Sequence, residues 1–350
     1  MNSYTSQKLK VVSFALMIMV VFIHSYNINI KQNGVVLFFE KDFNWLVQNF
    51  ISNGLTRIAV PLFFLISGYL LVLDQKIQVI DFVVKIKKRV KTLVLPYFIW
   101  ALLGVLLFYV LQSVPQSKPF FTKQLIKDYS VWQWVEAIFV QPIPYQLWFL
   151  RDLIVMVFLA PILFFVVKKL KFLFLLPVFG FWLFNQDTVF LSSEGLLFFS
   201  VGMYISTFKK ELIDFKFKKA SLLLLLWIVL LTIKTFIGFS NPNQLAEMLL
   251  LKASILAGIV AFWSVYDRCN IKIAAFGEKL VGFSFFLYLF HEPFLTIVNK
   301  FLFSQLPKVP TSYFLVYLVA PTFTIVVSIF TGWFLKSYVS RVYQLLTGNR

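Results

Sequence analysis

Apolar residues run through this chain in long unbroken stretches. They show neither the two-residue alternation of a half-buried strand nor the once-per-turn recurrence of a soluble helix. Ten stretches stand out, at about 11–30, 55–73, 93–111, 147–167, 172–187, 195–208, 220–239, 247–266, 281–302 and 313–337, the fifth and sixth being short. A hydrocarbon core about 30 Å thick is crossed by about 20 mostly apolar residues in a helix. In lipid the backbone must satisfy its own hydrogen bonds, which leaves helices or closed barrels, and barrel strands would alternate. The pattern predicts an all-α polytopic membrane protein with about ten transmembrane helices.

Between the stretches the basic residues are distributed unevenly. Lys and Arg favour cytoplasmic loops. With the N-terminus placed inside, 22 of the 33 basic residues fall on inner segments. They are Lys8 and Lys10; Lys76 and the cluster from Lys85 to Lys91; the groups at 168–171 and 209–219; Arg268, Lys272 and Lys279; and Lys336, Arg341 and Arg350. Six fall outside: Lys31, Lys41, Lys118, Lys123, Lys127 and Lys308. The split persists through every alternation and predicts that both termini are cytoplasmic. Arg57, Arg151, Lys234, Lys252 and Lys300 lie within spans or at their rims.

Composition narrows the class further. Of 350 residues, 60% are hydrophobic and 14% charged, against about 25% charged in a soluble domain. A disordered chain would be far less hydrophobic. The formal charge of +18 is mostly the topology signal above, so no nucleic-acid partner is expected. Cys269 is the one cysteine and His24 and His291 the two histidines, which excludes an intrachain disulfide and leaves little for a metal; none is expected. Val11–Ile30 lacks a following small-residue cleavage site and reads as a span. No second domain, repeat or linker is visible, so residues 1–350 read as a single domain. The outer loop near 112–146 carries Pro115, Pro119, Pro142 and Pro144, with Trp132 and Trp134 as interfacial anchors; Pro142-Ile143-Pro144 reads as a rigid turn into the fourth span.

Polar groups inside spans are costly and mark functional positions by default. They are His24, Arg57, the pair Arg151–Asp152, Lys234, Glu247, Lys252, and His291–Glu292. Each has a plainer reading: the lysines snorkel to headgroups, Arg151–Asp152 only orients a helix, and each histidine is a buried neutral bridge between helices. On a helix, residues 20, 21, 24, 27 and 28 share a face, which would aim His24 and Asn27 together at a cavity open to the outer side, with Arg57 and Arg151 at similar depth. An imidazole is the commonest general base, and guanidinium groups hold a carboxylate, a phosphate or a developing oxyanion.

Several segments together resemble one family. They are Phe22-Ile23-His24-Ser25, and the run Arg57-Ile58-Ala59-Val60-Pro61-Leu62-Phe63-Phe64-Leu65-Ile66-Ser67-Gly68-Tyr69-Leu70. Lys88-Arg89 with Leu95-Pro96-Tyr97-Phe98-Ile99-Trp100 follows, then Leu147-Trp148-Phe149-Leu150-Arg151-Asp152-Leu153 with Pro161, then Tyr288-Leu289-Phe290-His291-Glu292-Pro293. The set resembles the acyltransferase 3 family of integral membrane acyltransferases, over about residues 8–335. The resemblance implies a multi-pass protein of the bacterial cytoplasmic (inner) membrane with a ten-helix core. It would transfer an acyl group, usually acetyl from acetyl-CoA as donor substrate, to a hydroxyl of a cell-surface or lipid-linked carbohydrate. No bound cofactor is implied, and the partners are acyl-CoA, the carbohydrate acceptor and membrane lipids. His24 matches the family's general base, and Arg57, Trp148 and Arg151 match its second-span Arg and its fourth-span Trp-Phe-x-x-Arg pattern; with Asn27, placed by the shared helical face, they are expected to hold the acceptor or the oxyanion. Tyr288, His291, Glu292 and Ser67 would shape the cavity.

One position departs from the family. Many members carry an Arg eleven residues before the histidine, suited to the donor's phosphates; here that residue is Ser13, and the nearest cation on the same face is Lys10. A Lys serves phosphate as a point charge, not as a fork. Pro61 and Pro293 permit kinks that open room between helices, and Ser67-Gly68 allows a close helix approach. The alternative function is a polysaccharide exporter or other transporter of the same fold, against which stands the absence of a visible internal repeat.

Overall fold

The computed structural model describes residues 2–28, 31–32, 35–36, 41–73, 79–115, 121, 124–240, 242–269, 279–307 and 309–349. The end of the first expected span at 29–30, together with Lys76, Lys118, Lys123, Lys272, Lys308, Arg350 and Pro119, lies outside the described residues, as do the side chains of Lys31 and Cys269. Among the described residues the regular structure is helical, apart from an antiparallel pair of two-residue strands, Lys31–Gln32 and Val35–Val36.

Among the described residues, seven helical stretches are long and apolar enough to cross a membrane: Ser3–His24, Phe43–Leu71, Asp81–Ser113, Leu147–Leu170, Ala220–Ser240, Gln244–Arg268 and Pro310–Tyr338. The other expected spans coincide with shorter or interrupted helices, Phe172–Leu183, Ser193–Phe208 and Ser284–Gln305. In chain order the helices are α1 (Ser3–His24), α2 (Phe43–Ile51), α3 (Ala59–Leu71), α4 (Val79–Arg89), α5 (Leu95–Ser113), α6 (Val131–Val135), α7 (Leu147–Leu170), α8 (Phe172–Leu183), α9 (Ser193–Phe208), α10 (Ala220–Ser240), α11 (Gln244–Cys269), α12 (Ser284–Gln305), α13 (Pro310–Tyr338) and α14 (Ser340–Thr347). A 3₁₀ turn, Leu55–Ile58, leads into α3. Outward residues such as Leu222, Leu225, Phe323, Val326 and Phe330 are large, apolar and exposed, as a lipid-facing surface requires.

The chain forms two compact units, and the division falls inside α7. The first holds residues 1–24, 41–85 and 156–284; the second holds 25–40, 86–155 and 285–350. In the first, α3 and α9 pack against each other along their length. A Cβ built on Gly68 would stand 2.0 Å from the Phe199 carbonyl oxygen, and one on Gly202 would stand 2.0 Å from that of Leu65. The expected close approach at Ser67-Gly68 is therefore a backbone-to-backbone contact made by two glycines. Gly195 at the start of α9 meets the Phe64 ring, while Gly202 meets Tyr69, so the two helices run parallel. α10 and α11 form an antiparallel hairpin in which Trp227 packs on Gly258, and Ile58 reaches the same glycine.

At the beginning of α1, Lys8 is only 2% exposed. Its ammonium binds both Asp267 carboxylate oxygens, at 2.8 and 2.7 Å, and lies 4.3 Å from the Trp263 ring centroid. The Tyr4 hydroxyl donates to the same carboxylate at 2.6 Å. A buried charge stripped of its partner is strongly destabilising, whereas replacing both partners by apolar residues is often tolerated. Lys8→Ala is therefore expected to lose about 3–5 kcal/mol, seen as earlier thermal unfolding in detergent. Lys8→Met combined with Asp267→Leu should recover most of it; equal loss in the double variant would contradict this account.

Candidate functional site

The expected site residues fall in both units. Lys10, Ser13, His24, Arg57 and Ser67 belong to the first; Asn27, Trp148, Arg151, Tyr288, His291 and Glu292 belong to the second.

In the first unit, α1 ends at His24. The last carbonyls of a helix lack partners within it, and Ser52 Oγ donates to the Phe22 carbonyl at 2.6 Å, pinning this end. The turn Leu55–Ile58 packs against α1 and α11, which brings the backbone bearing Arg57 to the helix that His24 closes. His24 is partly exposed and Arg57 exposed. Arg57 Nη2 donates to Asn53 Oδ1 at 2.7 Å, and Lys234 Nζ donates to the Asn53 carbonyl at 3.1 Å. Ser67 is half-buried beside the glycine contact, Ser13 is half-buried, and Lys10 is exposed.

Two expectations change here. Asn27 does not share a helical face with His24, because α1 stops at His24; beyond it Asn27 is buried and its Nδ2 donates to the Tyr313 carbonyl at 2.9 Å. Lys234 and Lys252 do not extend to headgroups. Both are buried, and Lys252 Nζ donates to Asn185 Oδ1 at 2.7 Å while lying 4.4 Å from the Trp182 ring centroid.

In the second unit the expected kink is present. Glu292 has non-helical backbone angles (φ −116°, ψ 138°) inside α12. Pro293 has no N–H to return to the Leu289 carbonyl four residues back. Gln146, at the end of the Pro-rich loop before α7, reaches this break: its Nε2 donates to the carbonyls of Glu292 at 2.6 Å and Leu289 at 3.4 Å. His291 Nδ1 faces the carbonyls of Leu287 at 3.1 Å and Tyr288 at 2.8 Å. Since both partners are acceptors, Nδ1 carries the proton, and a neutral ring then has its lone pair on Nε2. His291 thus bonds the carbonyls of its own helix. His291 and Glu292 are fully enclosed, and the Tyr145 hydroxyl donates to Glu292 Oε1 at 3.1 Å. Tyr288 Oη donates to the Gln146 carbonyl at 2.8 Å, and its ring meets Phe149 edge-on at 5.8 Å. Trp148 is half-buried beside Phe149. Arg151 pairs with Asp152 through Nε at 3.1 Å and Nη2 at 2.8 Å, and Nη1 donates to the Val140 carbonyl. The Arg151–Asp152 pair is therefore formed, with the guanidinium tying the start of α7 to the loop before it.

Gln146, Tyr145, Asn53 and Glu194 were not singled out from the sequence. Gln146→Ala should remove both of these bonds at the broken helix, at about 1–3 kcal/mol if a buried group is left unpaired. Faster limited proteolysis within α12 checks this, and unchanged cleavage would contradict it. Among the described residues, no three His, Cys, Asp or Glu side chains stand close enough to hold a metal ion.

A partly exposed histidine closing a membrane helix, with an arginine-bearing turn packed against that helix, suits proton removal and oxyanion binding in acyl transfer. The acyltransferase-domain family model matches residues 11–333, and the chain belongs to this acyltransferase 3 family as a multi-pass membrane protein. It is similar to the succinoglycan biosynthesis protein ExoH of Rhizobium meliloti (strain 1021), with 26% identity over 321 residues that cover 88% of this chain and 83% of that protein. No solved structure matches the chain.

Proposed function

We propose that the protein is an O-acyltransferase of the bacterial cytoplasmic membrane. It crosses the membrane about ten times, with both termini cytoplasmic. It moves an acyl group, acetyl in the simplest case, from acyl-CoA to a hydroxyl of a surface or lipid-linked carbohydrate. The observation that carries the reading is His24 at the end of α1 with the Arg57 turn packed on the same helix, in a chain matched by the family model almost throughout. The relative's name, which refers to succinoglycan biosynthesis, supports a carbohydrate acceptor.

In the proposed step the acceptor oxygen attacks the thioester carbonyl while His24 takes its proton. The tetrahedral oxyanion forms beside Arg57 and collapses, the C–S bond breaks, and the proton passes to the departing thiolate. Lys10 and Ser13 lie on the donor side in this scheme, with Lys10 a point charge for phosphate.

The test is incubation of membranes with acetyl-CoA labelled in the acetyl group and surface carbohydrates as acceptors. Base-labile label on carbohydrate is expected with the wild type and absent with His24→Ala. Carbohydrate moved across the membrane without gaining label would favour a transporter instead.

A further inference from the structure

Arg57 is exposed, and a long side chain at such a place keeps its rotamer freedom unless a partner holds it. The partner comes from α2 and the turn that follows. Trp45, Asn49, Asn53 and Arg57 recur every four residues, a spacing that stacks side chains on one helical face. They form a directed chain of hydrogen bonds. The Trp45 carbonyl can only accept, and Asn49 Nδ2 donates to it at 3.0 Å. Asn49 Oδ1 is then turned towards Asn53, whose Nδ2 donates to it at 3.1 Å. That leaves Asn53 Oδ1 facing Arg57, whose Nη2 donates to it at 2.7 Å. A guanidinium has donors only. Reversing either amide would set donor against donor and acceptor against acceptor, so both ends of the chain dictate the same orientation. Asn49 is buried and Asn53 half-buried, where linked hydrogen bonds polarise and strengthen one another.

The backbone beneath this chain is fixed as well. Thr56 Oγ1 donates to the carbonyls of Ile51 and Ser52, each at 3.0 Å. A Cβ built on Gly54 would stand 2.4 Å from the Phe50 carbonyl oxygen and 3.1 Å from Leu231 on α10. Lys234, also on α10, binds the Asn53 carbonyl. Ser52 holds the Phe22 carbonyl near the end of α1. Ser52 and Asn53 are neighbours, so one residue pins the helix that ends at His24 and the next holds the Arg57 guanidinium. The groups assigned to proton removal and oxyanion binding are thus both referenced to a single rigid turn.

We propose that Asn53 is a positioning residue for acyl transfer, aiming the Arg57 guanidinium through a chain of amides anchored at Asn49 and the Trp45 carbonyl. This inference rests on the acyl-transfer reading, since Arg57 is the group that Asn53 positions.

The experiment compares wild type, Asn53→Leu, Asn53→Asp, Asn49→Leu and the double variant Asn49→Leu with Asn53→Leu, each at matched membrane level. Transfer of labelled acetyl to carbohydrate is read as kcat and donor KM. The rate of Arg57 modification by phenylglyoxal is read by mass spectrometry of its peptide. Asn53→Leu is expected to lower kcat about tenfold, equivalent to about 1.4 kcal/mol, with donor KM unchanged, and to raise the Arg57 modification rate severalfold. Asn53→Asp keeps an acceptor for Arg57, although it cannot donate to Asn49, and should recover most of both. Asn49→Leu touches no atom of Arg57 yet should shift both readouts the same way by a smaller factor. The double variant should be no worse than Asn53→Leu alone, because residues acting through one partner are not additive. Wild-type kcat in Asn53→Leu overturns the proposal, as does a loss that aspartate fails to relieve, or a double variant whose losses multiply. If wild-type membranes label no carbohydrate, the acyl-transfer reading fails. The modification rates then still decide whether Asn53 holds Arg57, and equal rates in wild type and Asn53→Leu overturn it.

Discussion

Replacing His24 by alanine should reduce acyl transfer by about 10²–10⁴-fold, the usual contribution of a positioned general base, while leaving the protein in the membrane at its normal level. The separation of activity from stability follows from how the end of α1 is built. Ser52 satisfies the Phe22 carbonyl, and Leu16, Met17 and Val21 bury the helix; neither depends on the imidazole. His24→Gln keeps hydrogen-bonding capacity without basicity and should fall as far as alanine. The comparison is made by release of free CoA thiol from purified protein supplied with acceptor. A glutamine variant near wild type would reduce His24 to a hydrogen-bonding residue.

The second large effect concerns assembly. Gly68→Leu should destabilise the first unit by more than about 4 kcal/mol, the range reserved for severe overpacking or strain. The added Cβ alone would overlap the Phe199 carbonyl, at 2.0 Å, and a backbone carbonyl in a packed helix pair cannot swing aside as a side-chain tip can. Gly202→Leu should behave alike, since its Cβ would meet the Leu65 carbonyl at the same distance. Gly180→Ala is the control: an added Cβ there meets nothing within 4 Å, and alanine favours the helix by about 1 kcal/mol. Membrane level and thermal aggregation in detergent read both. Normal accumulation of Gly68→Leu would show that α3 and α9 do not depend on this contact.

These two residues also show what the sequence discloses. Continuous apolar runs mark helices because lipid imposes one solution on the backbone, and the expected stretches coincide with helices. Gly68 beside Ser67 and Pro293 beside Glu292 were informative because small size and a missing N–H act locally whatever the surroundings. Asn27 was misplaced because periodicity cannot show that a helix stops three residues earlier, at His24. Gln146 was invisible because its role depends on carbonyls freed more than 140 residues later. Glu194 lay in the polar gap between two short runs and read as loop; only the packing of α8 against α9 brings it to the Trp182 indole. The Arg151–Asp152 pair was legible because the two residues are neighbours in sequence, but the bond from Arg151 to Val140 depends on the return of the loop, which no local pattern encodes.

The central claim is that an acyl group passes from a donor on one side of the membrane to a hydroxyl on the other through His24. Its most direct test uses protein reconstituted in sealed vesicles, with acetyl-labelled acetyl-CoA on the side of the termini and carbohydrate acceptor on the opposite side. The account predicts base-labile label on the carbohydrate with wild-type protein and none with His24→Ala. Equal labelling by both proteins, or label that appears only when donor and acceptor share one compartment, would contradict it.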